Sequence, residues 1–138
     1  MDRGVRMEAR SRTAFGLLIA AQGVHSVEEH LFRLFDVFAP ARFVSSLISA
    51  DIPTGFVLAN AAIVTVGAWC YFAQVRPGRP GARSLAWFWV CLEFANGVGH
   101  LAIAAVRAGY SPGVGTAPLL IGVSSYLAAR LSRQARSV

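Results

Sequence analysis

The sequence predicts an all-α membrane protein, with four transmembrane helices in one bundle and both termini cytoplasmic. Three observations predict it. Hydrophobic residues make up 55% of the 138-residue chain and charged residues only 14%, with mean hydropathy +0.52, which is too apolar for a soluble domain of this length. Four windows approach the roughly 20 apolar residues that a helix needs to cross a hydrocarbon core. The charges that remain are mostly arginines, gathered between those windows.

The first window, residues 13–35, reaches full length only if it includes the polar stretch VHSVEEH, residues 24–30. Arg10 and Arg12 before a ten-residue apolar run also resemble a secretory signal peptide, but no A-x-A cleavage site follows. The second and third windows, residues 53–75 and 84–106, are the most continuous. The fourth, residues 114–131, is shorter, and Pro118 is expected to kink it. The connections are residues 39–52, the loop RPGRPGAR and the turn GYSPGVG, none long enough for a further domain, so residues 1–138 form a single unit.

With four spans, ten arginines (Arg3, Arg6, Arg10, Arg12, Arg76, Arg79, Arg83, Arg130, Arg133 and Arg136) fall on one side and three (Arg33, Arg42 and Arg107) on the other. The positive-inside rule puts the first side, and both termini, in the cytoplasm. All thirteen basic residues are arginine and none is lysine, a bias that fits a GC-rich bacterial genome and hence a bacterial cytoplasmic membrane. The net charge of +6 does not indicate nucleic acid, because no aromatic-interleaved basic face is present. Cys70 and Cys91 form no CxxC and read as packing residues. Trp69, Trp87 and Trp89, near the span ends, read as interface anchors.

The polar residues inside the spans carry the chemistry. At about 100° per residue, His25 and Glu29 share one helical face with Gln22, Glu28 lies about 60° to its side, and His30 projects about 140° away. The third span presents Glu93, Asn96 and His100 at i, i+3 and i+7, again on one stripe, with Gly97 and Gly99 leaving room for a close neighbour. Asn60 in the second span and Ser124, Ser125 and Tyr126 in the fourth are placed to complete the lining. A charged residue at a helix centre costs about 2.5–3.5 kcal/mol on insertion scales, so these groups are expected to face inward and pair. Arg33, one turn beyond Glu29, is the candidate partner if the pairing is purely structural.

Two functional readings compete with that one. In the first, His25, Glu29 and His100 hold zinc, iron or manganese, with Glu28 as general base and Glu93 and Asn96 completing the catalytic set. The pattern is neither HExxH nor HxxEH, and it lacks the Glu-x-x-His pairs of di-iron bundles. In the second, adjacent carboxylates and a neutral imidazole move a proton without a metal.

The ordered set His25-x-x-Glu28-Glu29, Asn96-x-x-x-His100 and Tyr110-Ser111-Pro112-Gly113 resembles the HXXEE-motif family of small membrane proteins, over nearly the whole chain. The resemblance implies that His25, Glu28, Glu29, Asn96 and His100 are the motif residues, with Pro112 and Gly113 as a turn. It implies no reaction. Glu93 rests on spacing alone. The expected function is therefore a metal-dependent or acid/base enzyme acting on a lipid or isoprenoid. The alternatives are a proton or metal-ion transporter, which would need a homo-oligomer, and an accessory membrane subunit.

Overall fold

The computed structural model describes residues 7–136, and every regular element among them is a helix. Helix α1 (Ala9–Leu31) is followed by a single turn, α2 (Leu34–Val37), and a short helix, α3 (Ala39–Ile48). Helix α4 (Ile52–Cys70) runs on through a π-helical turn over Tyr71–Val75, and α5 (Ala82–Arg107) and α6 (Ala117–Arg136) complete the chain. Arg3 and Arg6, counted above on the cytoplasmic side, lie outside the described residues.

Two of these helices, Ile52–Val75 and Ala82–Arg107, are long and apolar enough to cross a membrane. They coincide with the second and third predicted windows. Helices α1 and α6 have 23 and 20 residues, lengths of about 30 Å or more at ~1.5 Å per residue, but carry the polar stripe and the C-terminal arginines.

The helix ends differ from expectation for identifiable reasons. Helix α1 stops at Leu31, one turn short of the predicted span, because Arg33 adopts a left-handed φ of 56°. There the Arg33 guanidinium pairs with Asp36 at 2.5 Å and points outward, so it is not the partner of Glu29. Pro118 does not kink α6. It occupies the second helical position, where no intrahelical N–H is required. Asp51 caps α4 by accepting the Thr54 N–H at 3.0 Å, and hydrogen bonding from Thr54 holds its carboxyl below the usual carboxylate range.

Packing runs in the order α4, α1, α6, α5, with α3 folded back on α4. Helices α4 and α5 make little contact with each other, which leaves one side of the bundle open. The core gathers Phe15, Leu18, Val75, Trp89, Leu127 and Leu131. Trp89 is 3% exposed and meets Phe15 edge-on at 6.5 Å, so it is a core residue rather than an interface anchor. Gly67 makes that possible: a Cβ there would press on Ile19 and on the Trp89 ring. Gly97 allows α5 to approach α6, since a Cβ would stand 2.9 Å from the Ala117 carbonyl oxygen, whereas Gly99 faces open space. Cys70 is buried and Cys91 exposed.

One end of the bundle is tied by arginines. Arg130 pairs with Glu8 at 2.6 Å, Arg12 donates to the Arg76 carbonyl at 2.8 Å, and Arg83 donates to the Leu131 carbonyl at 3.0 Å. The motif residues gather toward the other end, where Arg107 donates to the Val37 carbonyl and joins the end of α5 to α2.

Candidate metal centre

Three of the predicted residues meet. His25 and Glu29 project from one face of α1, and His100 reaches them from α5; all three are buried. One ligand atom from each lies within 4.8 Å of the others, so the group could hold a metal ion.

Hydrogen-bond directions sharpen the geometry. The hydroxyl proton of Thr116 goes to Glu28 Oε2 at 2.6 Å, so Thr116 Oγ1 accepts the Nδ1–H of His25 at 2.7 Å. The Nε2 of a neutral His25 then carries a lone pair. The Pro112 carbonyl can only accept, so His100 donates from Nδ1 at 2.7 Å and, when neutral, likewise presents a lone pair at Nε2. Both lone pairs face Glu29 Oε1, at 3.4 Å from His25 and 2.9 Å from His100. Those spacings are near the ~3.3 Å edge of a tetrahedron built on ~2.0 Å metal bonds. A proton between Glu29 and His100 satisfies one pair only, and the wholly buried Nε2 of His25 then has no hydrogen-bond partner among the described residues.

The turn between α5 and α6 supplies the orienting groups. Gly113 adopts a φ of 89°, and a Cβ there would stand 2.6 Å from the His100 ring and 2.9 Å from His25. Only glycine fits beneath the two imidazoles. Thr116, immediately before α6, and Gly115 offer backbone N–H groups to Glu28 at 2.8 and 3.0 Å, and the Tyr110 hydroxyl adds a bond at 2.6 Å. Glu28 thus accepts four hydrogen bonds and anchors the turn from outside the cluster. Burial, and then the bond to Glu28, pushes the Tyr110 hydroxyl up to about 12. Such hydrogen-bonded partners behind metal-binding imidazoles fix ring orientation and tautomer.

Beside the cluster, a polar chain crosses three helices. Asn96 on α5 donates to Gln22 at 3.5 Å, Gln22 donates to Ser26 at 3.1 Å, and Ser26 donates to Asn60 on α4 at 2.7 Å. Glu93 is buried above it, with Oε2 unpartnered. Of the fourth-span residues expected in the lining, Ser124 is buried, but Ser125 and Tyr126 are exposed. His30 stacks over Phe56 with ring centroids 6.4 Å apart, away from the cluster. Thr116 and Gly115 have no counterpart in the sequence reading. A Gly-Thr pair at the start of a helix was the available signal, because threonine there offers both a hydroxyl and an N–H to a facing carboxylate.

The family model described as "Protein of unknown function with HXXEE motif" matches residues 16–128. This chain belongs to the HXXEE family. No curated protein and no solved structure matches it. The matched segment spans every residue of the HXXEE site described above, from Gln22 to Thr116. The motif divides between two places in it: the histidine and the final glutamate enter the cluster, while the first glutamate holds the turn.

Proposed function

We propose that the chain is a four-span protein of the bacterial cytoplasmic membrane, with both termini cytoplasmic, and a metal-dependent enzyme acting on a lipid-soluble substrate. The observation that carries the metal reading is the buried Nε2 of His25, aimed with the Nε2 of His100 at one oxygen of Glu29, while each Nδ1 is committed elsewhere. Two imidazoles and one carboxylate suit zinc, non-haem iron or manganese and leave further coordination positions open. A metal bound there would supply a Lewis acid and an activated water. Thr116 and Pro112 orient the imidazoles, and Glu28 holds Thr116. We assign Glu28 this anchoring role in preference to that of a general base, because both of its oxygens already accept hydrogen bonds.

The outer surface supports the membrane setting. Val57, Leu58, Val66 and Trp69 on α4, Phe72 in the π-helical turn that continues it, and Phe88 and Phe94 on α5 are exposed large apolar side chains that water would solvate poorly. The arginine-tied end of the bundle fits the cytoplasmic side.

Metal analysis of detergent-purified protein, beside His25→Ala and Glu29→Gln, tests the centre. Stoichiometric zinc, iron or manganese in the wild type, lost in both variants, is expected; no metal under replete conditions removes the reading. Lipid profiles of wild-type and deletion cells test the enzyme assignment. An unchanged profile together with motif-dependent ion flux would assign the site to transport in an oligomer. Reporter fusions at the two termini test the topology.

A further inference from the structure

The open side of the bundle leads into a cavity of about 460 Å³ between α4 and α5, within the usual range of small-molecule pockets. Val44 of α3, Ile63 of α4 and Leu92 of α5 are among its apolar walls, and Phe38 and Pro40 extend the lining toward the start of α3. Its polar lining includes Glu29 and His100 of the cluster, together with Glu93 and Asn96. Glu93 is 1% exposed, and its Oε2 meets no hydrogen-bond donor among the described residues. A buried carboxylate oxygen without a donor is costly, and a ligand that supplies one removes the cost. Among the described residues no arginine lines the cavity, while two carboxylates do. A fully ionised carboxylate or phosphate head brings no donor to Glu93 Oε2 and leaves that cost in place.

We propose that this cavity takes a long-chain lipid whose head group is a hydrogen-bond donor, a hydroxyl or an ammonium, seated on Glu93 beside the metal centre. The chain lies along the apolar wall formed by Val44, Ile63 and Leu92. Phosphate- and carboxylate-headed lipids of the same chain length are excluded. The inference rests on the reading of the substrate as lipid-soluble, and Glu93 acts in it as the group that selects the head.

Photoreactive palmityl probes that differ only in the head (alcohol, amine, carboxylic acid and phosphate monoester) test it on the full-length protein in detergent, with metal and with chelator. The alcohol and amine are expected to label the wild type at least about tenfold more strongly than the acid and phosphate, a difference of ~1.4 kcal/mol. Glu93→Gln keeps an acceptor but removes the charge. It is expected to retain alcohol labelling, to lose amine labelling by about tenfold, and to leave metal content unchanged. Ala59→Trp, in the α4 wall, is expected to abolish specific labelling by every probe. Equal labelling by the acid or phosphate overturns the proposal, as does amine labelling indifferent to Glu93→Gln. The two readings fail separately. Bound metal without head-group selectivity sinks this inference and leaves the metal centre standing; head-group selectivity in a protein that binds no metal does the reverse.

Discussion

His25 and His100 meet edge to face, with ring centroids 4.6 Å apart and planes at 80°, and both turn Nε2 toward Glu29 Oε1. Rings on two different helices hold this arrangement because each Nδ1 is fixed by the same turn, one by Thr116 and the other by Pro112. His25→Ala and His100→Ala are each expected to lower metal affinity by at least about tenfold, since on the proposed reading each removes a ligand rather than a support. Titration of apo-protein with zinc, in competition with a chelator of known affinity, reads this directly. Wild-type affinity in either variant would count against the shared centre.

Thr116 is expected to act through His25. Thr116→Val keeps the shape but removes the hydroxyl that links His25 to Glu28, and should cost about 10–100-fold in metal affinity. Thr116→Ser restores the hydroxyl and should recover most of the loss. A valine variant that binds metal as the wild type does would show that the link is only structural.

Gly113→Ala combines a left-handed backbone with a methyl group driven into both imidazoles. The expected cost is about 1–3 kcal/mol, read as a lower unfolding temperature in detergent together with weakened metal binding. Gly99→Ala is the matched control, because nothing lies within 4 Å of a Cβ there. Its unfolding temperature should not fall.

Tyr110 sets a test at alkaline pH. Its hydroxyl titrates at about 12 in the folded protein, against about 10 in an unfolded chain. A group whose pKa rises on folding stabilises fully below the unfolded value, and that stability is lost as pH climbs through the folded one. Unfolding temperature should therefore contain a Tyr110-dependent decline between about pH 10 and pH 12. Tyr110→Phe should lack that component and be less stable than the wild type at neutral pH. Parallel melts from pH 8 to 12 decide it, and identical curves for the two proteins would refute it.

The sequence was most legible where one periodic signal sufficed. The windows at residues 53–75 and 84–106 match Ile52–Val75 and Ala82–Arg107 because nothing polar interrupts their apolar runs beyond a single stripe. Helical spacing likewise placed His25 with Glu29, and Glu93 with His100, on faces that turn inward. The end of the first helix was less legible, because continued hydrophobicity past Leu31 masks a backbone reversal that depends on the left-handed conformation of Arg33. Thr116, Gly115 and the Pro112 carbonyl were hard to read, because a turn has no period and the Gly-Thr pair before α6 was the one local signal for the first two. Their roles appear only once α6 packs on α1 and α5 and carries the turn across both histidines. Trp89 was misread for a related reason: its position near a span end said nothing of the space that Gly67 opens on another helix.

The α5–α6 turn also makes the site depend on α6. His25 lies on α1 and His100 on α5, but the Thr116 and Pro112 groups that fix their rings sit in the turn that α6 closes. Without that turn, neither Nδ1 has the partner that fixes its ring in the folded protein. On the proposed metal reading, a chain truncated before α6 is therefore expected to bind metal far more weakly than the full chain.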